Sequence, residues 1–556
     1  MTEEKNLLEW AYHWELTSPD TIFMTQPLGG GDSNVRHYTY RDALDEARKM
    51  ASYLRSLGFP PKSQIAICSK NCAHWIIADL AIWMAGHVSV PVFPTLTPEI
   101  LRYTLEHSES KLLFVGKLDP VWNEMKAGVP AGLPRVAFPL APAGEGPAWD
   151  EVIAGQEPLQ QPVDRDPDEL ATIIYTSGST GNPKGVMQSF RSMLTCSHGI
   201  SRVLNPTRND RYLSYLPLAH GMERWLGECT PLVNGYRVFF AESLDTFLED
   251  LQRARPTLFL SVPRLWTKFQ NGVFAKMPPA KLDRLLKIPL VRHLVRKKIL
   301  TKLGLEKVRF AGSGSAPISA ELIEWYRGLG LELLEGYGMT EDFNYSHVTR
   351  PGKVRPGYVG SPYDDVICRI AEDGEVQLKT PGAMMGYFKM PHETKEAFTA
   401  DGYLRTGDLG EVDADNRLKL TGRSKEIFKT SKGKYVAPSP IESHIMNHPH
   451  VEQCCVSGAG KPQPHAMVLL SDAAKKKVEV GGKDEVIRDL IDHLQHVNSQ
   501  LPSYETLAFI KVIEDDWLPE NGFLTPTMKI KRGVIEGRYS PMTDGWYDEK
   551  RPIVWQ

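Results

Sequence analysis

The feature that most limits the possible folds is the alternation of short apolar runs with amphipathic stretches near the amino terminus. Apolar residues recur at helical spacing between 43 and 57, directly after Thr39-Tyr40-Arg41-Asp42, which resembles a helix capping box with Asp in place of Glu. Apolar runs at 65–68, 88–93 and 111–115 follow, separated by further helical patterns. Strands that alternate with helices are typical of β-α-β units. The sequence therefore predicts an α/β fold with a mostly parallel sheet.

The chain of 556 residues is too long for a single ordinary core, so we expect at least two domains. Residues 117–168 are rich in Pro and Gly and are predicted to form an irregular connection, after which the α/β pattern resumes with strand candidates at 237–240, 258–260 and 308–310. Short strands and turns dominate 354–420, and Gly422-Arg423-Ser424-Lys425 opens a last region with its own pattern. We therefore predict a large domain over 1–423, with a β-rich subdomain at 354–420, and a small carboxy-terminal domain over 424–556.

Composition and charge exclude several classes of protein. Hydrophobic residues make up 42% and charged residues 24% of the chain, which is typical of a globular protein. A formal net charge of -3 gives no overall reason to bind nucleic acid. No apolar run approaches the roughly 20 residues that span a bilayer, and the acidic amino terminus lacks the apolar region of a secretory signal. Seven cysteines without zinc-ligand spacing indicate reduced thiols, so we expect a cytoplasmic protein.

One basic stretch leaves open an association with membranes. Residues 287–302, with the sequence KIPLVRHLVRKKILTK, combine cations with apolar residues at helical spacing. A solvated amphipathic helix is the favoured interpretation, and peripheral association with an anionic membrane is the alternative. Both a monomer and a homodimer are compatible with the sequence.

The loop after the strand candidate 170–175 has the composition of a phosphate-binding loop. Tyr175-Thr-Ser-Gly-Ser-Thr-Gly-Asn-Pro-Lys-Gly185 contains four Ser and Thr residues, three glycines and one lysine. Glycines let the backbone approach an anion closely, and hydroxyl and N–H groups donate to phosphate oxygens. A flexible turn is the alternative, and the ordered hydroxyl run before Pro183-Lys184-Gly185 argues against it. The kinase and ATPase loop needs Gly-Lys followed by Ser or Thr, whereas pairs such as Gly116-Lys117 and Gly433-Lys434 are followed by Leu and Tyr.

Together with five later segments, this loop makes the chain resemble the acyl-adenylate-forming superfamily: acyl-CoA synthetases, peptide-synthetase adenylation domains and beetle luciferases. In the family's order, the segments are Glu335-Gly-Tyr-Gly-Met-Thr-Glu341, Tyr403-Leu-Arg-Thr-Gly-Asp-Leu-Gly410, Gly422-Arg-Ser-Lys-Glu426, Lys432-Gly-Lys-Tyr-Val-Ala-Pro438 and Thr525-Pro-Thr-Met-Lys529. The resemblance implies the adenylate-forming enzyme fold. In that fold a large amino-terminal domain of mixed sheets flanked by helices carries a β-rich subdomain, and a small mobile α+β domain follows.

The resemblance also implies which residues bind ATP and Mg²⁺. The nucleotide-binding residues it implies are Thr176, Ser177, Gly178, Ser179, Thr180, Gly181 and Lys184 for the phosphates, Gly314, Ser315, Ala316, Glu335, Gly336, Tyr337, Gly338, Met339 and Thr340 for the adenine side, and Asp408 with Arg423 for the ribose. An ionised carboxylate suits two ribose hydroxyls because it has two acceptor oxygens. Glu341, with Thr176, is implied to hold the metal.

Two further residues are implied to act on the carboxylic acid. Lys529 would bridge the attacking carboxylate and the α-phosphate, which suits a compact ammonium on a flexible stem. A plain basic patch with its neighbours Lys531 and Arg532 is the alternative, and Met528 stands where many relatives have Gly. His220 matches an aromatic position near the carboxylate, and a structural histidine is the alternative. With Glu341, Thr176 and Lys184, these residues form the predicted catalytic set.

The implied reaction has two steps. A carboxylic acid and MgATP give acyl-adenylate and pyrophosphate, and a thiol then displaces AMP after the small domain rotates about Lys425. The loop with Lys429 and Gly433 is implied to face the thiol. Coenzyme A is favoured because no carrier-protein domain follows residue 556, and loading of a carrier protein is the alternative.

The expected substrate is a long-chain fatty acid, because residues 428–438 and 525–529 resemble the long-chain branch of the family. A medium-chain or aromatic acid is the alternative. A non-catalytic acyl-binding protein is the more distant alternative and would need a degraded site. Thr176, Lys184 and Asp408 are instead all present.

Overall fold

The computed structural model describes residues 5–31, 34–176, 182–525 and 527–555. The α-helices are α1 Leu7–Thr17, α2 Tyr40–Ser56, α3 Ala73–Met84, α4 Pro98–His107, α5 Trp122–Met125, α6 Trp149–Ala154, α7 Phe190–Leu204, α8 Gly221–Arg224, α9 Thr230–Asn234, α10 Phe247–Ala254, α11 Pro263–Lys276, α12 Pro279–Leu286, α13 Pro289–Lys302, α14 Ala320–Gly328, α15 Pro391–Ala397, α16 Pro438–Ile445, α17 Asp472–Glu479, α18 Lys483–Gln500, α19 Arg532–Tyr539 and α20 Thr543–Asp548. A π-helical turn covers Trp225–Cys229, and 3-10 turns cover Lys126–Gly128, Thr340–Asp342 and Ser540–Met542.

The strands are β1 Ile22–Pro27, β2 Val35–Thr39, β3 Gln64–Cys68, β4 Val88–Val92, β5 Leu112–Val115, β6 Arg135–Ala137, β7 Leu170–Thr176, β8 Lys184–Ser189, β9 Arg211–Ser214, β10 Arg237–Phe240, β11 Leu258–Ser261, β12 Phe310–Ser313, β13 Leu333–Tyr337, β14 His347–Val348, β15 Ser361–Pro362, β16 Ile367–Ile370, β17 Glu375–Lys379, β18 Gly386–Tyr387, β19 Leu404–Val412, β20 Leu418–Arg423, β21 Phe428–Lys429, β22 Tyr435–Val436, β23 Val451–Ser457, β24 His465–Leu470, β25 Ile510–Ile513 and β26 Ile553–Val554.

Helix starts follow the capping groups that the sequence supplies. The Thr39 side chain accepts from the Asp42 backbone N–H, and the Asp42 carboxylate accepts from the Thr39 N–H, so the predicted capping box of α2 is confirmed. Thr97 caps α4, which has Pro98 in its first turn. Capping satisfies backbone donors that have no partner inside the helix. These residues therefore fix where the amphipathic stretches begin.

Two large mixed sheets form the body of the protein. The first has the strand order β18-β8-β7-β4-β3-β5-β6, with parallel pairing from β7 through β6 and antiparallel pairing of β8 with both β7 and β18. The second has the order β15-β14-β13-β12-β11-β9-β10-β1-β2 and is parallel from β13 to β1. Helices connect the parallel strands, as right-handed crossovers require. The predicted α/β class with mixed sheets is confirmed.

The two large sheets are tied together through buried groups. Every residue of α3 is buried, and this helix belongs to the main apolar cluster. Arg224, at the end of α8, is fully buried and forms ion pairs with Asp79 of α3 and Glu228 of the π-helical turn. It also donates to Thr172 of β7 and Ser89 of β4, so one guanidinium ties α8, which lies between β9 and β10 of the second sheet, to two strands of the first.

A smaller antiparallel sheet and a separate carboxy-terminal region complete the chain. Strands β16, β17, β19 and β20 form a four-stranded antiparallel sheet, which supports the β-rich subdomain predicted for 354–420. Strands β23 to β26 form another sheet, and the two apolar clusters around it contain only residues between 428 and 555. This separation supports the predicted domain boundary after Arg423, which stays a prediction.

Several expectations differ from the structure. Residues 117–168, predicted to be irregular, contain α5, α6 and β6, and β6 extends the seven-stranded sheet. These elements have three to six residues, which is too short for a periodic pattern, and they are anchored by buried Trp122 and Trp149. The strand expected at 308–310 begins instead at Phe310. None of the helices in the described ranges is long and apolar enough to cross a bilayer.

Arg532 is buried in the carboxy-terminal region and is not part of a surface basic patch. Its guanidinium donates to both carboxylate oxygens of Glu442, at 2.7 and 2.9 Å, and to the Val456 carbonyl at 2.7 Å. The Val456 N–H donates to Glu442 as well. This pair links α19, α16 and β23.

We expect Arg532→Ala to destabilise the carboxy-terminal region by about 3–5 kcal/mol, because it leaves the Glu442 carboxylate buried without its partner. Hydrogen–deuterium exchange of the β23 amides is then expected to accelerate by roughly 100-fold or more. Arg538→Ala on the same helix is the control, since Arg538 is exposed and its distance to Asp515 is 3.8 Å. Equal exchange in the two variants would contradict the assignment.

Candidate active site

The predicted phosphate loop connects two paired strands of the first sheet. Thr176 and Lys184 are cross-strand neighbours at the ends of β7 and β8, and the Thr176 hydroxyl donates to the Lys184 carbonyl at 3.5 Å. The hairpin therefore holds the first hydroxyl and the lysine of the motif side by side. Ser177, Gly178, Ser179, Thr180 and Gly181 lie outside the described residues.

Lys184 and the predicted metal ligand Glu341 meet at one aromatic ring. The Lys184 ammonium lies 4.7 Å from the ring centroid of Tyr387, which also donates its hydroxyl to Glu341 Oε1 at 2.8 Å. Tyr387 is placed there because β18 pairs with β8, opposite Val186. The phosphate lysine and the carboxylate are thus brought together by a residue from a third segment.

The segment from Glu335 to Thr340 leaves β13 in a tight turn. A Cβ on Gly338 would lie 2.5 Å from the backbone of Asn344, so only glycine allows this approach. The Thr340 carbonyl accepts from the buried side-chain amide of Gln188 at 3.0 Å. This bond fixes the turn against β8, the strand that carries Lys184.

Asp408 is held by two donors from different strands. The Tyr337 hydroxyl donates to Asp408 Oδ2 and the Arg423 guanidinium to Oδ1, each at 2.7 Å. Arg423 is the cross-strand neighbour of Asp408 in the β19–β20 pair. Asp408 is buried, whereas the Arg423 side chain is half exposed. The carboxylate therefore has a fixed orientation beside the half-exposed Arg423. The opening to solvent at Tyr337, Asp408 and Arg423 is here called the cleft.

Lys529 reaches this cleft from the carboxy-terminal region. Lys529 is exposed to solvent. Protein atoms around its ammonium remove part of the hydration, and this desolvation and the positive charge of Arg423 lower the pKa of Lys529, whereas Asp408 raises it. An ion pair between Arg264 of α11 and Glu452 of β23 joins the two regions.

His220 is the N-cap residue of α8 and lies near Lys529. Burial and the Lys529 charge lower the pKa of His220 to about 4, so the imidazole is neutral at physiological pH. Its Nδ1 accepts from the Met222 N–H at 3.2 Å, which leaves the proton on Nε2. The Met222 sulfur lies 3.9 Å from the Ser315 hydroxyl, so His220 and the Gly314–Ala316 loop belong to one site.

A largely apolar cavity borders both predicted adenine-side segments. It is partly open to solvent. Gly314, Ser315 and residues 334–338 line one part, and aliphatic and aromatic side chains line the rest, including Ile200, Leu204 and Trp225. The cavity therefore places an apolar wall next to the residues predicted to contact adenine.

Three buried polar atoms at this cavity have no hydrogen-bond partner among the described residues. They are Glu335 Oε2, Ser313 Oγ and Asn344 Nδ2. Burial raises the pKa of Glu335 to about 8, so this carboxyl is mostly protonated at neutral pH and has one donor and one acceptor oxygen. Unpartnered buried polar groups are rare, and these fit a ligand with donors and acceptors such as adenine.

Other predicted residues lie apart from this cluster. Lys429 and Gly433 are together on the β21–β22 hairpin, where a Cβ on Gly433 would lie 3.9 Å from Lys429 Cε. The Lys429 ammonium lies 5.4 Å from the Tyr435 ring centroid. Lys425 is exposed in the turn directly after β20. Within the described part of the chain, no hydrogen bond or ion pair joins these three residues to Asp408 or Lys184, although the Ser424 N–H next to Lys425 donates to the Gly407 carbonyl at 2.9 Å.

The sequence motifs did not indicate Tyr387, Gln188 or Asn344. Tyr387 and Gln188 act through strand pairing and a contact between distant segments. No spacing in the sequence reveals such contacts. Asn344 follows Glu341 closely, and its left-handed φ of 62° is the type of turn that Asn tolerates. An Asn so soon after Glu341 is therefore a turn signal that the sequence itself shows.

The comparisons with known proteins agree with this geometry. Residues 13–388 match the family described as AMP-binding enzyme, and residues 425–551 match the AMP-binding enzyme C-terminal domain. The chain is 30% identical to Long-chain-fatty-acid–CoA ligase FadD15 of Mycobacterium tuberculosis, over 99% of this chain and 98% of that protein. It is 29% identical to Long-chain-fatty-acid–CoA ligase 1 of Homo sapiens, over 93% of this chain and 83% of that protein.

Solved structures agree on the fold. The anthranilate CoA ligase AuaEII in complex with anthranoyl-AMP superposes with a TM-score of 0.79 at 21% identity, covering 98% of this chain and 99% of that one. The A domain of carboxylic acid reductase from Segniliparus rugosus, in complex with AMP and a co-purified carboxylic acid, gives 0.80 at 23% identity, covering 99% and 95%. The two sheets, the nucleotide-type cleft and the matches along both regions lead to one conclusion: this chain belongs to the family of AMP-binding enzymes.

Proposed function

We propose that this protein is an ATP-dependent acid–thiol ligase that converts a long-chain fatty acid into its acyl-CoA through an acyl-adenylate. The observation that carries the proposal is that Lys529, from the carboxy-terminal region, lies near Asp408, Arg423 and His220, next to a largely apolar cavity lined in part by Tyr337 and Met222. The similarity to long-chain-fatty-acid–CoA ligases over nearly the whole chain supports the choice of acid and of coenzyme A.

In the proposed nucleotide site, Asp408 accepts hydrogen bonds from the two ribose hydroxyls. Tyr337 and Arg423 orient its two oxygens, which lowers the entropy lost when the sugar binds. The adenine lies between the Gly314–Ala316 loop and residues 335–340, where Glu335 supplies an unpartnered oxygen. The triphosphate lies at the loop between Thr176 and Lys184.

Attack of a carboxylate on the α-phosphate brings two anions together, so the site must supply positive charge. Lys529 does this from the carboxy-terminal region, and an anionic phosphate beside it favours the ammonium form. Neutral His220 adds an Nε2–H donor near the same point without adding a second charge. The acyl chain extends into the apolar part of the cavity.

Glu341 and Thr176 are the residues that would hold Mg²⁺, and carboxylate and hydroxyl oxygens are the ligands this cation prefers. When bound, the ion neutralises phosphate charge and withdraws electrons from the reacting phosphorus. The contribution of the chain is orientation: Tyr387 fixes one oxygen of Glu341. The same tyrosine ring lies beside Lys184.

The second step needs different surroundings from the first. We propose that the region after residue 423 rotates about Lys425, which withdraws Lys529 and turns the hairpin with Lys429 and Gly433 toward the thiol. Such a gate separates the two half-reactions in time. The exposure of Lys425 in a turn between two sheets supports a hinge there.

We further propose a cytoplasmic enzyme. Its support is chemical: all seven cysteines are free thiols, and six of them are buried. The substrates are the fatty acid, ATP and coenzyme A, and peripheral contact with a membrane belongs to the same proposal.

The reaction is tested by pyrophosphate release with acids from acetate to long-chain and aromatic ones, each with and without coenzyme A. We expect long-chain acids to give the highest kcat/KM and AMP release to require coenzyme A. AMP release that requires a carrier protein, and does not occur with coenzyme A, would favour the carrier-loading alternative. Absence of acid-stimulated exchange of pyrophosphate into ATP would contradict adenylation.

We expect Lys529→Ala to reduce adenylate formation by far more than tenfold, because the charge that bridges carboxylate and phosphate is lost. Thioester formation from preformed acyl-adenylate should remain largely intact. Each half-reaction is measured separately, with Lys531→Ala as the neighbouring control. Equal loss of both half-reactions would defeat the assignment.

Asp408→Asn is expected to weaken AMP binding by about tenfold or more, since a hydrogen bond to a charged acceptor contributes about 1.5–3 kcal/mol. Isothermal titration calorimetry measures this directly. Asp401→Asn is the control, because Asp401 forms an exposed ion pair with Arg369 in the same small sheet region. Unchanged affinity for AMP in Asp408→Asn would remove this residue from the site.

Tyr387→Phe keeps the ring beside Lys184 and removes the hydroxyl that orients Glu341. We expect the Mg²⁺ concentration for half-maximal adenylation to rise by about 10- to 100-fold, the usual effect of losing a group that orients a metal ligand. Tyr358→Phe, outside the cleft, should leave the Mg²⁺ dependence unchanged. Identical Mg²⁺ curves for both variants would argue against Glu341 as the metal ligand.

A further inference from the structure

Helices α12 and α13 form a hairpin, here called the basic hairpin (residues 279–302), that carries a concentration of positive charge. It contains eight Lys and Arg residues and a single acidic one, Asp283, in a chain whose net charge is -3. The cations are Lys281, Arg284, Lys287, Arg292, Arg296, Lys297, Lys298 and Lys302. All of them except Arg296 are exposed, and none forms an ion pair within the described part of the chain.

The basic hairpin also exposes aliphatic side chains. Leu290 is 85%, Leu294 67% and Ile288 50% exposed. Leu290 and Leu294 are one turn apart on α13 and share a face, whereas the buried Ile299 lies among the core residues. The helix therefore packs one apolar face on the protein and presents another to the outside.

The basic hairpin packs in the same apolar cluster as a residue that lines the cavity. Leu282 and Ile299 belong to the same apolar cluster as Phe259 of β11, and Phe259 borders the cavity. Helix α11, which leads into the hairpin, begins at Pro263 directly after β11. The exposed surface and the acid-binding space are thus parts of one packed unit.

We propose that the basic hairpin docks the protein on an anionic lipid surface. Ile288, Leu290 and Leu294 enter the boundary between headgroups and acyl chains, and the surrounding lysines and arginines reach the lipid phosphates on flexible stems. Cations close to an anionic membrane are stabilised by its negative surface potential. Salt screens that potential and removes the stabilisation.

A lipid surface fits better than the other anionic partners. Nucleic-acid surfaces that bind single strands use aromatic side chains for base stacking, and residues 279–302 contain no Phe, Tyr or Trp. An acidic protein would satisfy the cations but gives no reason for three exposed aliphatic side chains at their centre. Docking also brings the enzyme to where long-chain acids partition, a consequence that rests on the proposed function.

The test is sedimentation of the full chain with vesicles of phosphatidylcholine alone or with added phosphatidylglycerol. We expect binding to the anionic vesicles at low salt and its loss at about 1 M NaCl, where the Debye length is about 3 Å. Leu290→Ser with Leu294→Ser, and separately Lys297→Gln with Lys298→Gln, should each weaken binding by about tenfold or more. Equal binding to both vesicle types would overturn the proposal.

Matched controls use exposed residues elsewhere. Leu16→Ser replaces a leucine that is 84% exposed on α1, and Lys476→Gln replaces an exposed lysine on α17. Both should bind anionic vesicles like the unmodified chain, and if all variants bind alike the hairpin is not the docking surface. A complex with polyuridylate or an acidic protein in the absence of vesicle binding would also overturn it. Pyrophosphate release with a water-soluble acid, measured without vesicles, tests the reaction independently.

Discussion

The buried guanidinium of Arg224 is the interaction that holds α8, which lies between β9 and β10 of the second large sheet, against strands of the first. It pairs with Asp79 of α3 and Glu228 of the π-helical turn, and it donates to side chains of β4 and β7. Burial and the nearby Asp79 carboxylate raise the pKa of Glu228, and the Arg224 guanidinium opposes that shift. Removing one member of such a group leaves an uncompensated charge in the interior.

The geometry of the candidate active site depends on these contacts of Arg224. His220 and Met222 lie one turn before Arg224, and Trp225 at the start of the π-helical turn borders the cavity. π-helical turns are uncommon and often occur at functional sites. Fixing Arg224 between the sheets therefore fixes the wall of the cavity and the histidine at its edge. The residues proposed to bind the nucleotide, Tyr337 and Asp408, are instead supplied by β13 and β19.

Burial decides the charge state of the cleft. The pKa of His220 is lowered to about 4 and that of Glu335 is raised to about 8, and desolvation is the main cause in both cases. Both side chains are thus mostly uncharged at neutral pH. The charged groups near one another at this point include Asp408, Arg423 and Lys529, of which Asp408 is proposed to bind the ribose and Lys529 the reacting phosphate.

Local features could be predicted from residues that are close in the chain: the capping box of α2, the strands at 65–68 and 170–175, and the order of the motifs. Each depends on neighbours whose spacing the sequence displays. The folded structure was needed to see that Tyr387 joins Lys184 to Glu341, that Gln188 fixes the Thr340 carbonyl, and that Arg532 packs against Glu442. These contacts join residues 46 to 203 positions apart, and no local pattern encodes them, because they arise from strand pairing and from the packing of separate elements.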